Sequence, residues 1–271
     1  MLKQRIITAL WLVPLALIGF FKLEGQAFLG FISVIVALGG WEWARLAGYA
    51  QQSVRIAYAV ALVVALVVLN LQNQLFLPIL SIAALWWVLA TVMVITFPRS
   101  VAWWGGRLGK LIIGVLIIVP AGIGLQVLKE LPQGNMLILS LMLLVWGADI
   151  GAYFFGRAFG KRKLAPRVSP GKSWAGLFGG LLSSLCIATG LAVYLQVPAQ
   201  QFALVLVGAA VVVLFSVIGD LTESMFKRQA GIKDSSQLLP GHGGVLDRID
   251  SLTAAAPIFA LLLLLTDWTL S

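Results

Sequence analysis

The chain is largely a succession of apolar stretches, each about as long as a bilayer is thick. A helical span needs roughly 20 predominantly apolar residues. Nine candidates follow one another, at 6–21, 26–44, 56–71, 75–97, 111–128, 136–155, 173–195, 202–219 and 251–268. In hydrocarbon every backbone N–H and C=O must find its partner inside the protein, so such stretches become helices. The expected fold is an all-α, polytopic membrane bundle of about nine transmembrane helices, forming a single membrane-embedded domain over 1–271. Composition agrees: 61% of the 271 residues are hydrophobic and 11% are charged, against about a quarter charged in a soluble domain. A water-soluble domain, a disordered chain and a disulfide scaffold are excluded. The single Cys186 and single His242 also exclude an intrachain disulfide and a Cys-rich zinc site.

The basic residues orient the bundle. The first stretch opens on Lys3 and Arg5, lacks a small-x-small cleavage site and is followed by further spans, so it reads as a retained helix. With the N-terminus in the cytoplasm and the spans alternating, all of the 19 Lys and Arg except Lys22 and Lys129 fall on the inner side. Cytoplasmic loops carry such an excess. The net charge of +9 is then a matter of topology, and no nucleic-acid partner is needed to explain it. An odd number of spans puts the C-terminus outside.

The polar residues are unevenly spread. Residues 1–130 read as a generic transmembrane scaffold, and 131–271 as a catalytic half with two longer inner loops, 156–172 and 220–250. The second loop holds half of the ten acids, namely Asp220, Glu223, Asp234, Asp247 and Asp250, with Lys227, Arg228, Lys233, Arg248 and His242. Asp220 lies where one span leaves the membrane. Asp247 and Asp250 lie where the next enters, so both ends of the loop meet at one interface. Carboxylates gathered beside cations suit Mg²⁺ and phosphate, because Mg²⁺ is usually held by one or two carboxylates with waters and substrate phosphates. Between them runs Pro240-Gly241-His242-Gly243-Gly244, whose glycines permit a positive φ and a close approach of backbone N–H groups to a ligand. Read alone, it is more simply a turn re-entering a helix; the flanking Lys227-Arg228 and Asp247-Arg248-Ile249-Asp250 favour a phosphate site.

The first loop carries Ser169-Pro170-Gly171-Lys172-Ser173 at a helix start, where anions bind. It is also the basic inner loop that orientation and anionic headgroups favour. It is not a P-loop, because the upstream glycine is absent at the required spacing and no strand is expected before it. Asp149, inside an apolar stretch, is a functional candidate by its cost, with pairing to Arg157 as the alternative. Glu42, in Trp41-Glu42-Trp43-Ala44-Arg45, reads as part of an interfacial aromatic belt with a Glu42–Arg45 pair. His242 reads as a phosphate contact or a loop-structuring donor. Of the Gly-Gly pairs at 39–40, 105–106, 179–180 and 243–244, three are expected to serve close helix packing.

Residues 224–250 resemble the signature of the phosphatidate cytidylyltransferase (CDP-diacylglycerol synthase) family. Ser224, Phe226, Lys227, Arg228, Lys233, Asp234, Ser236, Leu239, Pro240, His242, Gly243, Gly244, Val245, Asp247, Arg248, Ile249 and Asp250 all match it. Upstream, Asp149-x-x-Ala152-Tyr153, Gly156-Arg157 and Ser169-Pro170-x-Lys172-Ser173 are similar to the same family, while Ala175 departs from the polar residue common there. The resemblance implies transfer of CMP from CTP to phosphatidic acid, giving CDP-diacylglycerol and pyrophosphate in phospholipid biosynthesis. It implies Asp220 and Asp247 as ligands of Mg²⁺, with a second cation in the same site. Lys227, Arg228 and Arg248 would act with them on substrate phosphates. Lys172, Ser169, Ser173, Ser224, Lys233, His242, Gly243 and Gly244 would bind substrate, and Asp250 and Asp149 would support them. A homodimer in a bacterial inner membrane, with the site on the cytoplasmic face and lipids around it, is the family-level expectation.

Other classes fit less well. A CTP-using lipid kinase or another lipid-phosphate transferase is the nearest enzyme. The Asp-Gly-x-x-Ala-Arg pattern of CDP-alcohol phosphatidyltransferases is absent. A transporter would place ionisable groups near the midplane in paired, broken helices, whereas here the acids collect at one interface.

Overall fold

A computed structural model describes residues 2–266, with side chains from Gln4 onward. Lys3 and the end of the last expected span, at 267–268, therefore lie outside the described side chains. The chain forms α1 (Leu2–Phe21), α2 (Gly25–Leu46), α3 (Gln52–Asn70), α4 (Phe76–Thr96), the short α5 (Val101–Trp104), α6 (Arg107–Glu130), α7 (Gly134–Phe159), β1 (Lys163–Ala165), β2 (Ser169–Ser173), α8 (Trp174–Tyr194), α9 (Ala199–Gln229) and α10 (Leu246–Leu265). Among the described residues nine helices are long and apolar enough to cross a membrane, one for each expected span. The protein is an all-α integral membrane bundle.

Helix α6 runs through the centre, against α2, α4 and α10. Its buried face, including Ile117, Ile118, Ile123 and Leu128, joins Trp43, Trp87 and Leu66 in one continuous core. Lipid tails are as apolar as these side chains, so close packing rather than water exclusion holds the helices together. Small residues make that possible at α7 and α8. A Cβ on Gly180 would stand 2.7 Å from the Ala148 carbonyl, and one on Gly151 the same distance from the Gly179 carbonyl. The Gly39–Gly40 pair likewise faces Leu246 and Leu62, whereas Gly105–Gly106 merely separates α5 from α6.

Two elements differ from expectation. The 156–172 segment is not simply a loop: α7 continues to Phe159, and β1 and β2 then form an antiparallel hairpin with Lys163 opposite Ser173. Helix α9 does not end at residue 219 but runs to Gln229. Its apolar part, 202–219, spans about 27 Å at 1.5 Å per residue, close to the hydrocarbon thickness of about 30 Å. The polar remainder projects as rigid helix, so Asp220, Glu223, Ser224, Lys227 and Arg228 stand on a helix face rather than in a loop. The true loop is shorter, from Ala230 to Val245.

Candidate functional site

The projecting end of α9 arranges its charges by helical periodicity. Asp220, Glu223, Ser224 and Lys227 follow i, i+3, i+4, i+7 spacing and so share one face. The opposite side is anchored by Phe226, fully buried with its ring centroid 4.8 Å from that of Trp43 and 4.4 Å from that of Trp104. Helix α10 packs along α9, and a Cβ on Gly219 would meet the Asp250 carbonyl at 2.6 Å. That close approach sets Asp247 and Asp250 beside the charged face of α9.

Two Lys–Asp pairs result. In the first, Lys227 Nζ donates to Asp247 Oδ1 at 2.7 Å and to Glu223 Oε1 at 3.1 Å. Asp247 Oδ2 accepts from the Ser235 N–H at 2.9 Å, the Ser235 hydroxyl at 2.9 Å and the Gly244 N–H at 2.7 Å. In the second, Lys172 Nζ of the hairpin lies 2.5 Å from Asp220 Oδ2, while the Ser224 hydroxyl donates to Asp220 Oδ1 at 3.2 Å. The first pair is nearly closed off, with 10% and 5% of its side chains exposed; in the second each partner is 26% exposed. Asp149, exposed on α7, and Asp250 both lie within electrostatic range of Asp220 and Lys172. Asp149, Asp220, Asp250, Glu223 and Asp247 thus form one acidic seam threaded by two lysines. Asp149 does not pair with Arg157, which reaches the Tyr153 hydroxyl instead.

The loop that closes over the seam hangs from Glu42. This carboxylate, fully buried, is not in an ion pair with Arg45. Its Oε1 accepts from the Ser236 hydroxyl at 2.5 Å and the Val245 N–H at 3.0 Å. Its Oε2 accepts from the Leu246 N–H at 2.7 Å and the Ser235 hydroxyl at 3.1 Å. An acid at the start of α10 satisfies N–H groups that a helix leaves free and suits the helix dipole. Ser235 therefore joins Glu42 to Asp247. The first half of the chain is more than a scaffold: α1 and α2 hold the loop as well, through Thr8 to the Pro240 carbonyl at 2.8 Å, Arg5 to the Gly241 carbonyl at 3.1 Å and Arg45 to the Ser235 carbonyl at 3.3 Å.

The remaining expected residues fall into two groups. Gly243 and Gly244 approach the protein's own carboxylates. Gly243 has φ +84°, and a Cβ there would meet Asp247 Oδ2 at 2.7 Å; a Cβ on Gly244 would meet Glu42 Oε1 at 2.4 Å. His242 donates its backbone N–H to the Leu239 carbonyl, closing this turn. Ser173 is buried, and its hydroxyl oxygen accepts from the Gly176 N–H as the N-cap of α8. These residues build the frame. Ser169 is half-buried at the other end of β2 from Lys172, opposite Ala165. Arg228, Lys233 and Arg248 are exposed around the seam, and Arg228 donates to the Val168 carbonyl of the hairpin at 3.2 Å.

The donor set can be weighed against a divalent cation. Among the described residues no three His, Cys, Asp or Glu side chains converge into a protein-only metal cage. Mg²⁺ does not require one, since waters and substrate phosphates complete its shell. The partly exposed Asp220 carboxylate, with Asp149 and Asp250 nearby, has the hard oxygens and the surplus negative charge that such an ion takes. Asp247 fits less well, because its nearly buried carboxylate already accepts four protein hydrogen bonds, whereas Asp220 meets only the solvent-open Lys172 and one long hydroxyl contact.

Fold and site together define a polytopic membrane protein with a mixed acid–base seam where its spans emerge. The chain belongs to the cytidylyltransferase family, whose profile matches residues 3–266. It is 61% identical over 268 residues to the phosphatidate cytidylyltransferase of Pseudomonas aeruginosa, covering 99% of each chain. It is 41% identical to that of Haemophilus influenzae, over 96% of this chain and 98% of the relative. With that of Brucella suis it shares 38% identity, over 96% and 92%.

Proposed function

We propose that this protein transfers CMP from CTP to phosphatidate, releasing pyrophosphate and forming CDP-diacylglycerol. The observation that carries this reading is the acid–base seam, built by the signature residues of α9 and α10 at the emerging end of a membrane bundle. Family membership and relatives of that activity support it. The chemistry suits the residues. A phosphate monoester oxygen is already anionic, so it attacks the α-phosphorus of CTP without a general base, and the α–β bridging bond breaks. The obstacles are repulsion between two anions and charge growing on the departing pyrophosphate. Fixed positive groups lower both when placed in advance. Lys172 is suited to swing from Asp220 to a phosphate, since its pair is open to solvent. Lys227 is held between Glu223 and Asp247 and supplies a fixed positive field. Arg228, Lys233 and Arg248 surround the seam as exposed cations for the triphosphate.

In this reading Asp220 would hold Mg²⁺, with Asp149 and Asp250 adding negative charge around it. The ion would neutralise phosphate charge and polarise the leaving group. The seam would face the cytoplasm of a bacterium from its inner membrane, because the basic residues collect at the same end and CTP is cytosolic. Such a position lets a lipid in the bilayer meet a soluble nucleotide. The test is CTP-dependent formation of CDP-diacylglycerol from phosphatidate in mixed micelles, with and without Mg²⁺. Product that requires both CTP and Mg²⁺ supports the reading. A folded protein that makes none, across several phosphatidates and divalent ions, overturns it.

A further inference from the structure

Beside the seam lies a cavity that the reaction as described does not use. It has a volume of about 850 Å³ and sits between α4, the hairpin and the outer sides of α8 and α9. Thr91, Ile95, Trp174, Leu177, Val217 and Ile218 contribute to a mainly apolar wall. Arg167 alone brings charge to it, and no acid lines it. Arg228 stands at the same end, tied to the carbonyl of Val168, a neighbouring wall residue. A space with apolar walls and one guanidinium at the charged end of the bundle matches an acyl-glycerol with an anionic headgroup.

Its place relative to the seam selects among such lipids. Leu221 is a wall residue and directly follows Asp220, so the two side chains are about 100° apart around α9. Arg167 and Lys172 belong to the same hairpin, and Lys172 reaches Asp220. A lipid whose chain lies along Leu214, Val217, Ile218 and Leu221 therefore has its headgroup next to the open Lys–Asp pair. A second apolar groove, bounded by Leu144, Ala188, Leu204 and Phe259, lacks any charged lining residue and offers no headgroup contact.

We propose that this cavity is the binding site for the acyl-glycerol part of phosphatidate, with Arg167 meeting its phosphate as it enters. This rests on the proposed reaction. It adds a location for the lipid and makes Val217, Ile218 and Ile95 the residues that govern which acyl chains are accepted.

The test has two arms. A phosphatidate carrying a mid-chain diazirine is photolysed with the full-length protein in nanodiscs, and the adducts are mapped by mass spectrometry. Adducts on 91–97 or 214–221, displaced by unlabelled phosphatidate, are expected. Adducts confined to the second groove or scattered over the outer surface would overturn the proposal. This arm does not depend on turnover. In the second arm, Ile218→Trp fills the cavity and Arg167→Ala removes the exposed charge without disturbing packing. Each should raise the KM for long-chain phosphatidate about tenfold, the scale of one lost charge-assisted contact, while the KM for CTP stays unchanged. Dihexanoyl phosphatidate should respond less to Ile218→Trp. An unchanged lipid KM in Arg167→Ala rejects the proposal even if the bulkier variant fails to fold. If the wild type turns over no phosphatidate at all, the reaction is wrong, whereas activity with adducts elsewhere removes only the cavity.

Discussion

The two Lys–Asp pairs use the same functional groups in opposite ways. Lys227 and Asp247 are sealed between α9 and α10, and four further hydrogen bonds join the pair to Glu223, Ser235 and Gly244. Lys172 and Asp220 meet across the gap between the hairpin and α9, with a quarter of each side chain exposed. A buried charge pair persists only when its remaining donors and acceptors are satisfied, and it penalises the loss of either partner heavily. An exposed pair contributes little to stability and can exchange partners. One pair is therefore suited to hold the site in shape and the other to receive a substrate. Composition alone would not have separated them.

The comparison is broken most directly by unpairing the buried lysine. Lys227→Met leaves Asp247 and Glu223 buried without their cation, and the expected loss of stability is about 3–5 kcal/mol. Thermal unfolding in detergent measures it. The double variant Lys227→Met with Asp247→Asn should recover part of that loss without restoring turnover. If Lys227→Met melts like the wild type, the pair is not a frame.

Glu42 gives the next largest effect, because it holds the frame from the other half of the chain. Glu42→Ala strands two backbone N–H groups at the start of α10 and the Ser236 hydroxyl, while the Ser235 hydroxyl keeps Asp247 as acceptor. A destabilisation of at least about 2 kcal/mol follows from the cost of buried unsatisfied donors. Glu42→Gln keeps one carbonyl acceptor and should lose less. Hydrogen exchange at Val245 and Leu246 should accelerate in both variants, and wild-type exchange there would count against the role.

What was legible in the sequence follows the range of the interactions. Span positions depend on local apolarity, and all nine stretches have their helix. The signature residues are clustered in sequence, so their family was readable from residue types alone. Glu42 was not readable as a loop anchor: its partners lie 193 to 204 positions away, and a local pairing with Arg45 was the simpler expectation. Hydropathy falls at Asp220 while helical hydrogen bonding continues, so apolarity alone places the end of α9 too early, although the i, i+3, i+4, i+7 spacing of the charges is visible in the sequence. The hairpin was hidden by Pro166, Pro170 and Gly171, which read as a breaker-rich loop although the strands pair across them.

The open pair should show the reverse balance. Asp220→Asn and Lys172→Ala should each change stability by less than about 1 kcal/mol, as exposed pairs do. Activity in each should fall at least about 100-fold, the scale of one lost electrostatic contact to a transition state. Mg²⁺ with CTP should raise the melting temperature of the wild type, because ligands that bind only the folded state stabilise it. Asp220→Asn should abolish the Mg²⁺-dependent part of that rise. A variant that unfolds as readily as Lys227→Met would erase the distinction between the pairs.

The smallest expected effect calibrates the others. Ser173 adjoins Lys172 and was expected to bind substrate, yet its oxygen accepts the Gly176 N–H at 3.1 Å and caps α8. Replacing an N-cap serine by alanine costs about 1 kcal/mol, so Ser173→Ala should lower stability by that amount. Ser173→Asp should restore it by offering an equivalent acceptor. If the serine only caps the helix, turnover in Ser173→Ala stays near wild type. If it also binds phosphate, turnover in Ser173→Ala falls by more than the lost cap explains.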